Sequence, residues 1–269
     1  MIARHGILEL RRDSPRSMAT NAITEKDTQL LTKEALFARL QEVGRERYHH
    51  QHPFHLLMHE GRLSRGQLQA WALNRYYYQS RIPIKDAIIL SRSDDPEFRI
   101  AWRKRILDHD GDGSNPGGIE KWLKLAEATG LTRDEVQAGN GVLPATRFAV
   151  DAYLELVRTR TFLEAVASSL TELFSRDLIA LRMDALRQHY PWLSGGLDYF
   201  TARLTQAPED VKFAFAWVAE HALTREQQEL AIAALRRKCD ILWAQLDALH
   251  FAYVQPAWPP PGAFTPEGS

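Results

Sequence analysis

Gln67-Leu-Gln-Ala-Trp-Ala-Leu-Asn-Arg-Tyr-Tyr-Tyr-Gln-Ser-Arg-Ile-Pro-Ile-Lys-Asp86 reads as a helix with one chemically loaded side. Ser64, followed three residues later by Gln67, has the form of a capping box, and Leu68, Trp71, Ala72 and Leu73 begin an apolar run at helical spacing. At about 100° per residue, Tyr78, Gln79, Ile82 and Asp86 fall on the side of Arg75, with Lys85 at the margin. That flank is polar, cationic and aromatic at once. Pro83 lacks a backbone donor and clashes with the preceding turn, so a kink or break is predicted there, one that would let Lys85 turn inward. The same stripe also fits a solvated face with aromatic rings packed beneath it.

Upstream, Leu36, Leu40 and Val43 form a helical stripe that Gly44 weakens, followed by Tyr48 and a cluster of His49, His50, His52, His55 and His59. His55 and His59 are four apart, but no glutamate follows His55, so the helix lacks the base of a metalloprotease HExxH motif. Pro53 suits a first helical turn, which puts His49 and His52 at the junction ahead of it. Downstream, Asp95-Pro96 starts a helix on which Arg105 and His109 stand four apart. The loop after it places Asp108, Asp110, Asp112 and Gly113 at EF-hand positions, yet Ile119 stands where a bidentate glutamate belongs and Pro116 interrupts, so a Gly-rich connection is the better reading. A short helix stopped by Gly130 follows, then capping boxes at Thr132/Glu135 and Thr161/Glu164. Glu172, set among Ala, Ser, Leu and Phe, either faces solvent or is held by a cation. Tyr199 and Arg203 again stand four apart, Ala207-Pro208 is expected to open a new helix, and Thr224 with Gln227 caps the last one. Lys238 borders that helix's buried stripe of Leu235, Cys239, Leu242, Leu246 and Leu249.

No alternating strand pattern, internal repeat, phosphate loop, GxGxxG or GxSxG occurs, so an all-α bundle around one core is expected over residues 32–254. Residues 1–31 read as a mobile arm, and residues 255–269 as a Pro-rich tail or linker. The 269 residues are 45% hydrophobic and 25% charged, and 34 basic side chains balance 34 acidic ones. No global field draws the chain to nucleic acid or to a membrane surface, so any anion site is local. A lone cysteine, Cys239, precludes an internal disulfide, and no apolar run reaches membrane-spanning length; a cytoplasmic location is expected.

The marked side chains are Arg75, Lys85, Arg105, Arg182, Arg203 and Lys238, with His49, His109, Tyr78, Tyr153, Tyr199 and Glu172 beside them. If they converge, the pocket suits a compact aromatic ligand with several carboxylates, since guanidinium groups grip carboxylates through paired charge-assisted bonds. The segments Asn-Arg-Tyr-Tyr-Tyr-Gln with Ile-Pro-Ile-Lys-Asp-Ala, Arg-Ile-Leu-Asp-His-Asp-Gly, Arg-Phe-Ala-Val-Asp-Ala-Tyr, Ser-Ser-Leu-Thr-Glu-Leu-Phe, Gln-His-Tyr-Pro-Trp and Cys-Asp-Ile-Leu-Trp resemble, in order, the pyrroloquinoline-quinone synthase (PqqC) family. The similarity runs from about Leu36 to Tyr253.

The resemblance implies an all-helical haem oxygenase/thiaminase II-like (TenA-like) bundle that dimerises, without haem. It implies an oxidase that closes a ring in a bicyclic quinone precursor bearing amino acid groups and oxidises it with O2. Peroxide is released, the product is the tricarboxylate pyrroloquinoline quinone (PQQ), and neither metal nor organic cofactor is used. By motif, ligand-holding roles fall on His49, Arg75, Tyr78, Gln79, Lys85, Arg105, Tyr153, Glu172, Arg182 and Lys238. His109 matches the proton-transfer histidine, and Tyr199 and Arg203 the pair beside the reacting ring and oxygen, on a segment expected to close over the ligand. One position departs: Ile179 stands where family members carry a histidine near the oxygen site. The spacing from Trp192 to Arg203 is also shorter by about one residue. The Pro-rich tail looks like the start of a linker to a small peptide-chaperone domain, PqqD. Two other readings use the same scaffold: a di-iron oxidase, which needs two Glu-x-x-His pairs on facing helices where this sequence has only Glu46-Arg-Tyr-His49, and a non-enzymatic quinone carrier.

Overall fold

The computed structural model describes residues 29–266, without the side chains of 207–210; the expected arm lies mostly outside the described residues. All regular elements among them are helical. In order they are α1 (Lys33–Arg47), α2 (Pro53–His59), α3 (Arg65–Ser91), α4 (Pro96–Asp110), α5 (Gly117–Thr129), α6 (Arg133–Ala138), α7 (Pro144–Thr159), α8 (Phe162–Ala167), α9 (Ser175–His189), α10 (Asp198–His221) and α11 (Arg225–Tyr253). Short 3₁₀ segments lie at His49–Gln51, Ser168–Phe174 and Pro191–Gly196.

The local signals set these boundaries. Ser64/Gln67, Thr132/Glu135, Thr161/Glu164 and Thr224/Gln227 each close a reciprocal capping box, satisfying two backbone donors that a helix start leaves unpaired. Pro53, Pro96 and Pro144 occupy first turns, and Gly130 ends α5 in the left-handed conformation.

The break expected at Pro83 and the helix start expected at Ala207-Pro208 are corrected. α3 runs unbroken through Pro83, and α10 continues from Asp198 through Pro208 to His221 as one helix. A proline removes a ladder bond and crowds the preceding turn, and around Pro83 burial of the flanking turns outweighs that cost. Ile82, Pro83, Lys85 and Asp86 are all buried, in a helix enclosed by α4, α5 and α7, so Lys85 turns inward without a break.

The longest helices cross two apolar clusters. The first half of α3 (Leu68, Trp71, Leu73) packs with Phe54, Trp122, Leu186 and Phe200, whereas its second half (Tyr78, Ile82, Ile89) joins Leu36, Trp102, Val157 and Leu170. α11 divides likewise, with Leu235 and Leu242 in one cluster and Leu246 and Leu249 in the other. The polar stretch of α3 lies where the two clusters meet. Beyond α11 the chain folds back: Phe264 N–H donates to Gly141 C=O at 3.0 Å, and Tyr253 Oη donates to Phe264 C=O at 2.9 Å.

Candidate active site

A cavity of about 110 Å³ opens at that meeting place, against the ~10–15 Å³ that a single water needs. Its wall includes His49, Arg75, Tyr78, Gln79, Lys85, Arg105, His109, Tyr153, Glu172, Arg182, Tyr199 and Arg203. These are the side chains singled out from sequence, drawn from seven separate segments. Lys238 stands one layer back, donating to Tyr78 Oη at 2.9 Å with its Nζ 3.3 Å from the centre of the Tyr153 ring.

On one side the cations have carboxylate partners. Glu172, on the 3₁₀ segment, bridges Arg105 (Nη2 to Oε2, 2.7 Å) and Arg203 (Nη2 to Oε1, 2.9 Å), tying α4 to α10. This settles the alternatives left open for Glu172: it is held by cations, and its side chain is 16% exposed. Burial would raise its pKa, but Arg105 and Arg203 outweigh burial and hold the carboxyl below its ordinary range. Lys85 pairs with Asp86 and reaches Ser169 Oγ at 3.2 Å. Burial opposes its charge, yet Asp86 more than offsets this and its pKa is raised. His109 Nδ1 lies 3.0 Å from the Arg105 carbonyl, which can only accept, so Nδ1 carries the proton and Nε2 is the basic nitrogen of the neutral ring. Burial and then Arg203 push the His109 pKa down to about 4, keeping the ring neutral near pH 7.

On the other side the cations lack such partners. Among the described residues no carboxylate pairs with Arg75, Arg182 or Lys238. Arg75 lies over the Tyr78 ring at 4.1 Å, and Arg182 donates to His55 Nε2 at 3.0 Å. His55 Nδ1 in turn donates to the His49 carbonyl at 2.9 Å, which fixes the ring that Arg182 leans on. Burial, then Arg182, hold His55 well below its ordinary pKa; burial, then Arg75, do the same for His49. Burial likewise drives Lys238, 1% exposed, well below the usual lysine range. Burial of a charge without a partner is costly, and an anionic ligand removes the cost. The polar atoms His49 Nε2, Gln79 Oε1, Asp86 Oδ2 and Arg182 Nε are buried here without a hydrogen-bond partner.

Rings close the remaining wall. Tyr199 meets Trp122 edge to face at 4.9 Å, and Ile179, Leu178, Phe200 and Leu242 add apolar surface. Among the described residues, no group of three or more His, Cys, Asp or Glu side chains is placed to hold a metal ion. Neither His55 nor Asp86 was singled out as a site residue from sequence. Asp86 was on the stripe and its position was the available signal; His55 gave none beyond its place in a histidine cluster.

The all-helical bundle matches solved structures of one fold type. One is a domain of unknown function with a heme oxygenase-like fold from Shewanella denitrificans OS217 (TM-score 0.67, 13% identity, 87% of this chain and 96% of that one). Another is a TenA homologue from Pseudomonas syringae pv. tomato (TM-score 0.63, 11% identity, 81% and 95%). At such identities these show the fold alone. Residues 37–248 match the model of the TENA/THI-4/PQQC family, and the chain belongs to that family. Within it, the chain is 55% identical to a pyrroloquinoline-quinone synthase of Granulibacter bethesdensis over 90% of this chain and 96% of the relative. It is also 55% identical to one of Xanthomonas campestris pv. campestris, over 89% and 96%. A bifunctional coenzyme PQQ synthesis protein C/D of Methylorubrum extorquens is 53% identical, over 91% of this chain and 66% of that one. The resemblance seen in the sequence blocks thus extends over most of the chain.

Proposed function

We propose that this chain is the enzyme that completes pyrroloquinoline quinone, closing the third ring of the bicyclic amino-quinone precursor and oxidising it with O2. The observation that carries the reading is the cavity itself, whose wall holds Arg75 and Arg182, unpaired with a carboxylate among the described residues, together with the buried neutral His109, while Lys238 stands behind it. The relatives named pyrroloquinoline-quinone synthase supply the ligand class. Arg75, Arg182 and Lys238 suit a ligand with several carboxylates, with Arg75 gripping in the paired manner of a guanidinium. Tyr78, Gln79, Tyr153 and His49 define the plane and edge of an aromatic body. His109 takes a proton on Nε2 as the ring closes, and Tyr199 lies on the same wall to pass protons onward. Arg105 and Arg203, preset by Glu172, lower the energy of the reduced, anionic quinol that gives electrons to oxygen. Each O2 that takes two electrons and two protons leaves as H2O2. The chemistry is proposed to need no metal or organic cofactor.

Ile179 gives the oxygen side an apolar wall where family members carry histidine, which suits a pocket for an apolar gas. A homodimer is part of the proposal, as is association with a PqqD domain or protein, in keeping with the C/D name of the Methylorubrum relative. Sedimentation of the full chain tests the first, and titration with PqqD the second.

The decisive experiment is an anaerobic mix of metal-analysed protein with the precursor, followed by O2, with absorbance and peroxide recorded. PQQ formed with peroxide supports the reading. Tight binding with no oxidation means a carrier, and activity that tracks stoichiometric iron means a metal oxidase.

A further inference from the structure

The lining is built for anions, with one exception. Of the four wall residues that carry an unpartnered buried polar atom, Arg182 has Nε, which only donates and is satisfied by a ligand carboxylate. The His49 ring can exchange tautomers, and the Gln79 amide can turn its nitrogen inward, so both serve as donor or acceptor. Asp86 Oδ2 has no such latitude: it belongs to a carboxylate ion-paired with Lys85 through Oδ1, and it only accepts. Asp86 is 1% exposed, and this oxygen has no donor. The other carboxylate on the wall, Glu172, has one oxygen on Arg105 and the other on Arg203. A second carboxylate left half-satisfied would repel every acidic group of an anionic ligand, unless that ligand also brings a donor.

We infer that Asp86 seats the primary amine of the ligand, accepting an N–H bond from the amino group at Oδ2 while Lys85 holds Oδ1. This rests on the proposed function and deepens it by assigning the amine end of the precursor to the Asp86 part of α3. Ring closure consumes that amine, so the tricyclic product has no primary amine to offer. Asp86 therefore discriminates precursor from product: it favours the first and is left without a donor by the second, which assists release.

The test is anaerobic equilibrium binding of three probes: the amine-bearing precursor, the same ring system with that amine replaced by hydrogen, and the tricyclic product. Wild-type protein is expected to bind the amine-bearing probe about 10- to 100-fold more tightly than the desamino one, the range for a charge-assisted bond. In Asp86→Asn that ratio collapses towards one, while product affinity holds or rises, because Lys85 has lost its counter-charge. Equal wild-type affinity for the amine and desamino probes overturns the inference, and that comparison needs no variant to fold. An Asp86→Asn protein that weakens all three probes in parallel also overturns it, since the carboxylate then serves only to hold Lys85. A wild-type protein that shows the ratio but oxidises nothing in air supports the amine seat and refutes the oxidase. One that binds none of the probes refutes both.

Discussion

On one side of the cavity Glu172 holds Arg105 and Arg203, and Asp86 holds Lys85; on the other, Arg75, Arg182 and Lys238 stand among histidines and tyrosines, and among the described residues none of the three is paired with a carboxylate. The paired side is complete without ligand. Its guanidinium groups are aimed in advance, which is where charge developing in a reaction is stabilised at least cost in reorganisation. The unpaired side is incomplete. Its buried cations weaken the ligand-free protein and gain most when an anion arrives, so binding energy concentrates there. One side is arranged for chemistry and the other for capture.

The largest effect is expected from His109→Asn. With the basic nitrogen gone from the paired side, precursor turnover should fall about 10²- to 10⁴-fold while anaerobic precursor binding changes little. A loss of binding in step with turnover would move His109 to the capture side.

Glu172→Gln should lower unfolding free energy by about 3–5 kcal/mol, because it removes the carboxylate charge that Arg105 and Arg203 share in a buried place. Chemical denaturation measures it. A cost near zero would mean that the paired side is not held together by this carboxylate.

Acid should act through the histidines. His109 is held down to about 4 by burial and then Arg203, and His49 and His55 well below their ordinary 6.5, each by burial first. From about pH 6.5 down to 4 the unfolded chain binds protons that these native rings refuse, so stability is full above that window and falls as pH drops through it. For a fully buried ring the slope approaches roughly 1.4 kcal/mol per pH unit. Denaturation midpoints at several pH values report it, and saturating product should flatten the loss if the ligand screens Arg75 and Arg182.

The smallest effect sharpens the contrast by its sign. Lys238→Met removes a buried, desolvated amino group that has no carboxylate pair among the described residues, so the ligand-free protein should gain about 1 kcal/mol while losing affinity for the tricarboxylate. A destabilised variant would show that the bonds of Lys238 to Tyr78 and over Tyr153 outweigh its desolvation.

The sequence by itself determined where helices begin, because capping is local: four Ser/Thr-x-x-Gln/Glu boxes close where they were read, and Gly130 stops α5 as expected. It also determined which side of α3 carries the chemistry, since helical periodicity alone puts Arg75, Tyr78, Gln79, Ile82 and Asp86 on one flank. The resemblance in six ordered blocks marked twelve side chains that meet in the cavity, and a thirteenth, Lys238, just behind it. Tertiary structure decided the rest. It kept α3 and α10 whole through Pro83 and Pro208, and around Pro83 burial of the neighbouring turns outweighs the missing hydrogen bond. It laid residues 255–266 back on the body through Phe264, in a segment with no periodicity to read. Above all, it decided which cations are neutralised. Glu172 lies 67 residues from Arg105 and 31 from Arg203, and charge pairing depends on distance in space, which no spacing along the chain records.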